Sequence, residues 1–533
     1  MPLFRPDARN GAFEQAIRAL PRRTLLRRAF ALAIAGFAGA PAVARPPGPP
    51  RFSSDPFSLG VASGFPDAGS VVLWTRLAPA PQAPDGGLDP VAIAVDWEVA
   101  EDEAFARIVR SGRAVAAPER AHAVHVEVDG LAAGRWYWYR FRAGDATSPT
   151  GRTRTAPAPD ARPDRLRLAI CSCQHYEYGY YGALRHLADE APELIVHLGD
   201  YIYEGRARQG AVRRHWDGEP KTLAGYRARW AQYKTDADLQ RAHAVAPWLY
   251  TWDDHEVEND YADDRAQDLA PDFLLRRAAA YQACFEHMPL RGAARPQGPQ
   301  MRMHGRWAFG DLAEFFVLDT RQHRSHQACP KPGRGGSNVV RDCDALGDPA
   351  RTMLGAGQER WLADGLATSR ARWSVLAQQT LLAHADLEPG PGERVWTDGW
   401  SGYPAARDRL VAALARPSLR NPLVLGGDVH AHYVCDVRAD ARDPASALVA
   451  TEFCGTSITS PSLAQSQIDA VRAENPQIRF ADGTRRGYLS LTLERERCTA
   501  RLRVIDDPKD PETAVATCAT FIVEDGRPGA LAG

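Results

Sequence analysis

Apolar and polar positions change rhythm about a quarter of the way along this chain. Between residues 51 and 155 the pattern alternates: "VAIAVDWEVA" (91–100), "VHVEVDGL" (124–131) and the aromatic "GRWYWYRFRAG" (134–144) have the period of half-buried strands. "TAPAPDARPD" (155–164) is a proline-punctuated linker. Beyond it come short, nearly continuous apolar runs at 165–170, 193–198, 248–252, 313–318, 373–379 and 422–427. Helical patterns such as "GYYGALRHLADEAP" and "GQERWLADGLATS" lie between them. Strands buried on both faces and alternating with helices predict a layered α/β domain, not a helical bundle. From about residue 487, "GYLSLTLERERCTARLRVI" predicts a β-hairpin, and "ATFIVEDG" one more strand. No internal repeat is evident.

Four of the apolar runs end in polar clusters: Cys171-Ser172-Cys173-Gln174, Gly199-Asp200-Tyr201-Ile202-Tyr203, Asp253-Asp254-His255-Glu256 leading to Val257-Glu258-Asn259-Asp260, and Gly427-Asp428-Val429-His430. Each alone reads as turn or capping chemistry. Ligands of open α/β sheets gather beyond the carboxyl ends of strands, so four such ends predict one shared crevice.

Composition (44% hydrophobic, 25% charged) is that of a globular protein, and 533 residues exceed one ordinary core, so more than one domain is expected. The net charge of −1 gives no general reason to expect nucleic acid or an anionic membrane as partner. The first 44 residues predict a removable leader, with an arginine-rich start, an apolar stretch from Ala29 to about Ala40 and a small-x-small end at Ala42-Val43-Ala44. Arg22-Arg23 and Arg27-Arg28 resemble a twin-arginine signal, which exports proteins already folded. Without that leader the chain holds 58 basic against 64 acidic residues, a net −6, and no window long enough to span a bilayer. The location implied is periplasmic or secreted. Nine cysteines in an exported chain permit disulfides, Cys329–Cys343 and Cys498–Cys518 being the locally plausible pairs.

The residue types in the four clusters suggest metal. Asp200 and Asp428 offer hard oxygen, His430 borderline nitrogen, and Cys173 and Tyr203 anionic sulfur and oxygen. Thiolate and phenolate on one ion point to ferric iron; all-oxygen ligation beside it points to calcium or magnesium. Asp200, on a tight Gly-Asp turn, is placed to bridge the two, with Tyr203 folding back onto one of them. A disulfide to Cys171 or a distant cysteine is the competing reading of Cys173. His255 is the candidate acid–base group. Arg321 and Arg324 in "LDTRQHRS" could meet phosphate oxygens or form ordinary salt bridges, and His197 and His432 read as structural.

Gly-Asp-x-x-Tyr and a late Gly-Asp-x-His resemble a variant of the calcineurin-like metallophosphoesterase pattern. With Ser172-Cys173-Gln174, "GDYIYE", "WDDHEVENDY", "GGDVHAH" and "FSLGVASGFPDAGSVVLWTRL" (57–77), the chain closely resembles the PhoD-like alkaline phosphatase family from about Phe57 to Ser460. The resemblance implies a metallophosphoesterase-type β-sheet core with helices over 165–525, preceded over 51–155 by a small fibronectin/Ig-like β-sandwich. It also implies Fe(III) on Cys173, Asp200, Tyr203 and His430, and Ca(II) on Asp200, Asn259 and Asp428. Aligned to Gly-Asn-His-Glu, Asp254 takes the place of the metal-binding asparagine; the longer motif favours Asn259, and less so Asp260. With Asn259 as ligand, Asp254 supports the catalytic His255. The activity expected is hydrolysis of phosphate esters at neutral or alkaline pH, on a small-molecule or phospholipid-type substrate. Phosphodiesterase or phospholipase D-type chemistry on the same site is the alternative, and a catalytically dead secreted binding module the remote one.

Overall fold

Phe315, Val317, Val375, Ala377, Leu423 and Leu425 belong to one buried cluster, while the intervening Phe316, Leu376 and Val424 belong to another. This period of two is how strands buried on both faces read as unbroken apolar runs. The computed structural model describes residues 51–533; the leader predicted over 1–44 lies outside the described residues.

Two mixed sheets pack face to face. One has ten strands, in the order Arg527–Ala532, Val515–Glu524, Arg497–Ile505, Arg486–Glu494, Arg165–Cys171, Leu194–His197, Trp248–Tyr250, Val61–Gly64, Ser70–Arg76, Ala123–Asp129. The other has seven: Gly305–Phe309, Ala313–Val317, Trp373–Ala377, Pro422–Gly426, Leu448–Cys454, His432–Arg438, Ile478–Asp482. Leu168, Ile195, Phe315, Val375, Leu425 and Phe453 share the core between them. The helices Gly355–Thr368 and Pro404–Leu414 cover the far side of the seven-stranded sheet through Leu362, Leu366, Leu410 and Leu414.

A separate core marks the predicted N-terminal sandwich. Val71, Leu73, Val124 and Val126 pack against Val95, Val99, Tyr139 and Phe141 of the smaller sheet built on Ile93–Ala100, Ile108–Ala116 and Trp136–Ala143. Tyr137 accepts a hydrogen bond at its hydroxyl from the backbone N–H of Ala132 (2.9 Å), closing the corner before its strand. The other sheet of this sandwich is continuous with the ten-stranded sheet, through the parallel pairing of Gly64 with Trp248.

The predicted hairpin is present as Arg486–Glu494 and Arg497–Ile505. Cys329 and Cys343 form a disulfide. The Cys498–Cys518 pairing is a correction: both are free thiols, because the strand register sets Cys498 opposite Val523, five positions beyond Cys518. Among the described residues no helix is long and apolar enough to cross a membrane.

Candidate active site

Arg165–Cys171, Leu194–His197 and Trp248–Tyr250 run parallel side by side, so their carboxyl ends emerge at one edge. Pro422–Gly426 ends beside them from the facing sheet, and a Cβ on Gly427 would lie 2.5 Å from the Ser172 hydroxyl. That approach joins the fourth cluster to the first. Leu198 and Cys173 donate backbone hydrogen bonds to Cys171 and Gly199, stitching the first two clusters together (3.0 and 3.1 Å). Gly199 carries φ +102°, and a side chain there would meet the Asp253 backbone nitrogen at 2.5 Å. The Gly-Asp turn therefore requires its glycine.

Cys173, Asp200, Asp428 and His430 all lie in the left-handed region, with φ of 59°, 55°, 64° and 55°. Each such non-glycine residue costs on the order of 1–3 kcal/mol and persists only where its surroundings hold it. Arg486 does so for His430: its guanidinium donates to the His430 and Ser460 carbonyls (2.8 and 2.6 Å).

The donor atoms converge. One ligand atom each from Cys173, Asp200 and His430 lies within 4.8 Å of the others, and the same holds for Asp200, Asp254 and His255. Asp200 belongs to both groups. Tyr203 donates its hydroxyl to Asp200 Oδ2 (2.9 Å), lies 3.3 Å from His430 Nε2, and accepts from Ser460 (2.7 Å). His430 Nδ1 donates to the Pro461 carbonyl (2.9 Å), which leaves Nε2 facing the cluster as an acceptor. Asp428 Oδ2 is buried with no hydrogen-bond partner. Asn259 is held by its backbone N–H to Glu204 (2.8 Å), and Asp260 donates its N–H to Asp254 (2.6 Å). Cys171 and Cys173 are both free thiols, which removes the disulfide reading of Cys173.

These groups crowd charge in a buried space. Burial, then neighbouring carboxylates, push the Asp200 carboxyl well above its ordinary range, and burial does the same to Asp253 and Asp428. Burial and the Asp200 charge push the Cys173 thiol and Tyr203 phenol up as well. Asp254 is the exception: burial opposes its anion, but Arg321 and His255 outweigh that and hold its pKa low. Thiol, phenol, carboxyls and an acceptor imidazole facing one another fit a strongly charged cation, which lets such donors ionise together.

Some residues of the candidate site are not singled out by motif. Glu204 is buried and accepts from His255 Nδ1 (2.7 Å) through Oε2. Its only sequence signal is its place after Tyr203 in "GDYIYE". Glu256 accepts the backbone N–H groups of Asp200, Tyr201 and Asp253 (3.2, 2.7 and 2.8 Å), tying two strand ends to one carboxylate. Arg321 and Arg324 do not front the crevice. Arg321 is paired with Asp253 and with Asp398 (2.8 Å), and Arg324 with Asp398 (2.7 Å), all buried. His197 and His432 are buried too, accepting backbone N–H groups of Gly199 and Thr456 (3.3 and 3.2 Å).

The chain is similar to known proteins. Residues 168–502 match the PhoD-like phosphatase family, and residues 42–157 match the PhoD-like phosphatase N-terminal domain. The chain is 43% identical over 491 residues to alkaline phosphatase D of Bacillus subtilis (strain 168), covering 90% of this chain and 83% of that one. A solved structure titled "Structure of PhoD" is 44% identical, with TM-score 0.86 over 91% of this chain and 93% of that one. With its family match spanning most of the sequence, this chain belongs to the PhoD-like phosphatases and is a phosphoester hydrolase.

Proposed function

We propose that the protein is an exported, metal-dependent phosphatase hydrolysing phosphate esters at neutral to alkaline pH through a centre of one Fe(III) and one Ca(II). The observation that carries this reading is the double role of Asp200, shared between the Cys173–His430 group and the Asp254–His255 group. Cys173, Asp200, Tyr203 and His430 would hold the iron; Asp200, Asp428 and Asn259 would hold the calcium, with Asp254 the competitor to Asn259. The unpartnered Asp428 Oδ2 supports its place in that set. Residues 51–155 form the sandwich domain in this reading, and 165–525 the catalytic one.

Paired ions supply Lewis acidity: they acidify a water and screen the charge of the phosphoryl oxygens. The chain supplies the rest. With Nδ1 of His255 engaged by Glu204, Nε2 is the nitrogen left to donate. Burial disfavours the imidazolium, but the Glu204, Asp254 and Asp200 carboxylates outweigh it and hold the His255 pKa well above its ordinary value. His255 Nε2 is thereby placed to give a proton to the leaving alkoxide. Asp254, itself fixed by the Asp260 N–H, adds to the field that keeps that proton in place.

A second reading, hydrolysis of phosphodiesters, is favoured by one observation: open space of about 460 Å³ adjoins Asp428 and His430 and leaves room for a second ester arm. The dead binding module has no comparable support, since every donor of the motif is present. The deciding experiment is iron and calcium analysis of protein purified through its native export route, with rates on one monoester and one diester. Fully active protein free of iron overturns the metal assignment.

A further inference from the structure

The space beside the metal-site residues is a chemically distinct cavity. Asp428 and His430 form one wall; Leu381, Trp396, Trp400, Tyr433 and Ile468 form much of the rest. Among the described residues, no acidic, basic or imidazole side chain other than Asp428 and His430 lines it. Its volume of about 460 Å³ lies within the range of small-molecule sites. Leu463 and Val339, 61% and 45% exposed, also border it, so apolar surface continues outward to solvent.

A sugar or polyol would leave several hydroxyls desolvated and unpaired against these walls, a cost that an aliphatic or aromatic group avoids. We propose that this cavity is a subsite for the apolar alcohol portion of the substrate, making the preferred substrate a phosphate ester of an aliphatic or aromatic alcohol. The inference rests on the phosphatase reading above and specifies what that site accepts.

Methyl phosphate and octyl phosphate release alcohols of similar basicity, so a difference in kcat/KM between them reports binding of the chain and not leaving-group chemistry. Phosphate release by the wild-type holoenzyme should favour octyl phosphate by on the order of tenfold or more, given roughly fourfold per fully buried methylene. Leu463→Asp, at an exposed position that leaves the fold intact, and Ala385→Trp, which fills the lining, should each cut the octyl-to-methyl ratio at least severalfold. Monomeric dioctanoyl phosphatidic acid should behave like octyl phosphate, marking a dissolved ester as sufficient. A wild-type ratio near one overturns the subsite, as does a ratio unchanged in both variants. So does hydrolysis of phosphatidic acid only in dioleoyl vesicles, which would place recognition at a bilayer. Failure to hydrolyse methyl phosphate and octyl phosphate alike would instead overturn the phosphatase reading itself.

Discussion

Glu204 accepts a hydrogen bond from His255 Nδ1 at 2.7 Å while its second oxygen accepts the Asn259 N–H at 2.8 Å. One buried carboxylate thus fixes both the ring of the candidate acid and the backbone of a candidate ligand.

Glu204→Gln keeps the shape and removes the charge that raises the His255 pKa. His255 should then lose its proton at lower pH, moving the alkaline limb of the kcat/KM profile downward and costing roughly 10–100-fold at its upper end. A profile that keeps its alkaline limb in place would remove Glu204 from this role.

His255→Ala should retain both metals and lose roughly 2–4 orders of magnitude in rate, the scale of a positioned acid–base group. Elemental analysis beside single-turnover rates tests this. Loss of metal from the variant would reassign His255 to coordination.

A phenolate and a thiolate on ferric iron both donate charge to it, so the active protein should show a visible absorption band. Tyr203→Phe should weaken or shift the band, Cys173→Ser should shift it differently, and Asp200→Asn should impair both metals. Calcium chelation should abolish activity and leave the colour largely in place. Colourless, iron-free, fully active protein would sink the Cys173–Tyr203 site.

Arg321 is buried among Asp253, Asp254 and Asp398, its guanidinium pairing with the first and last of these and lying 3.7 Å from Asp254. Arg321→Met strands those carboxylates and should destabilise the fold by about 3–5 kcal/mol. Denaturant unfolding reads the loss; a change within about 0.5 kcal/mol, the scale of ordinary surface substitutions, would show that the network is dispensable.

Export is tested at the leader. Changing Arg22, Arg23, Arg27 and Arg28 together to Lys should leave the precursor in the cytoplasm, as fractionation would show. Normal export of the quadruple variant would exclude the twin-arginine route.

Local sequence determined a good deal here. The strands behind Cys173, Asp200, Asp253 and Asp428 were legible because strands buried on both faces need unbroken apolar runs. The need for Gly199 followed from a turn too tight for a Cβ, and the Asp, Cys and His side chains proposed from their types as donors are ones the structure brings together. What only the tertiary structure decided are partnerships between distant residues. Glu204 and His255 stand 51 positions apart, and Arg321 and Asp253 stand 68 apart. Strand register separated Cys498 from Cys518, and sheet packing turned Arg321 and Arg324 away from the crevice and onto buried carboxylates. A residue's own neighbours set its backbone shape and chemical type, within reach of a turn or a strand. Which groups end up facing it depends on strand order and on how two sheets close on each other, and no local pattern encodes that.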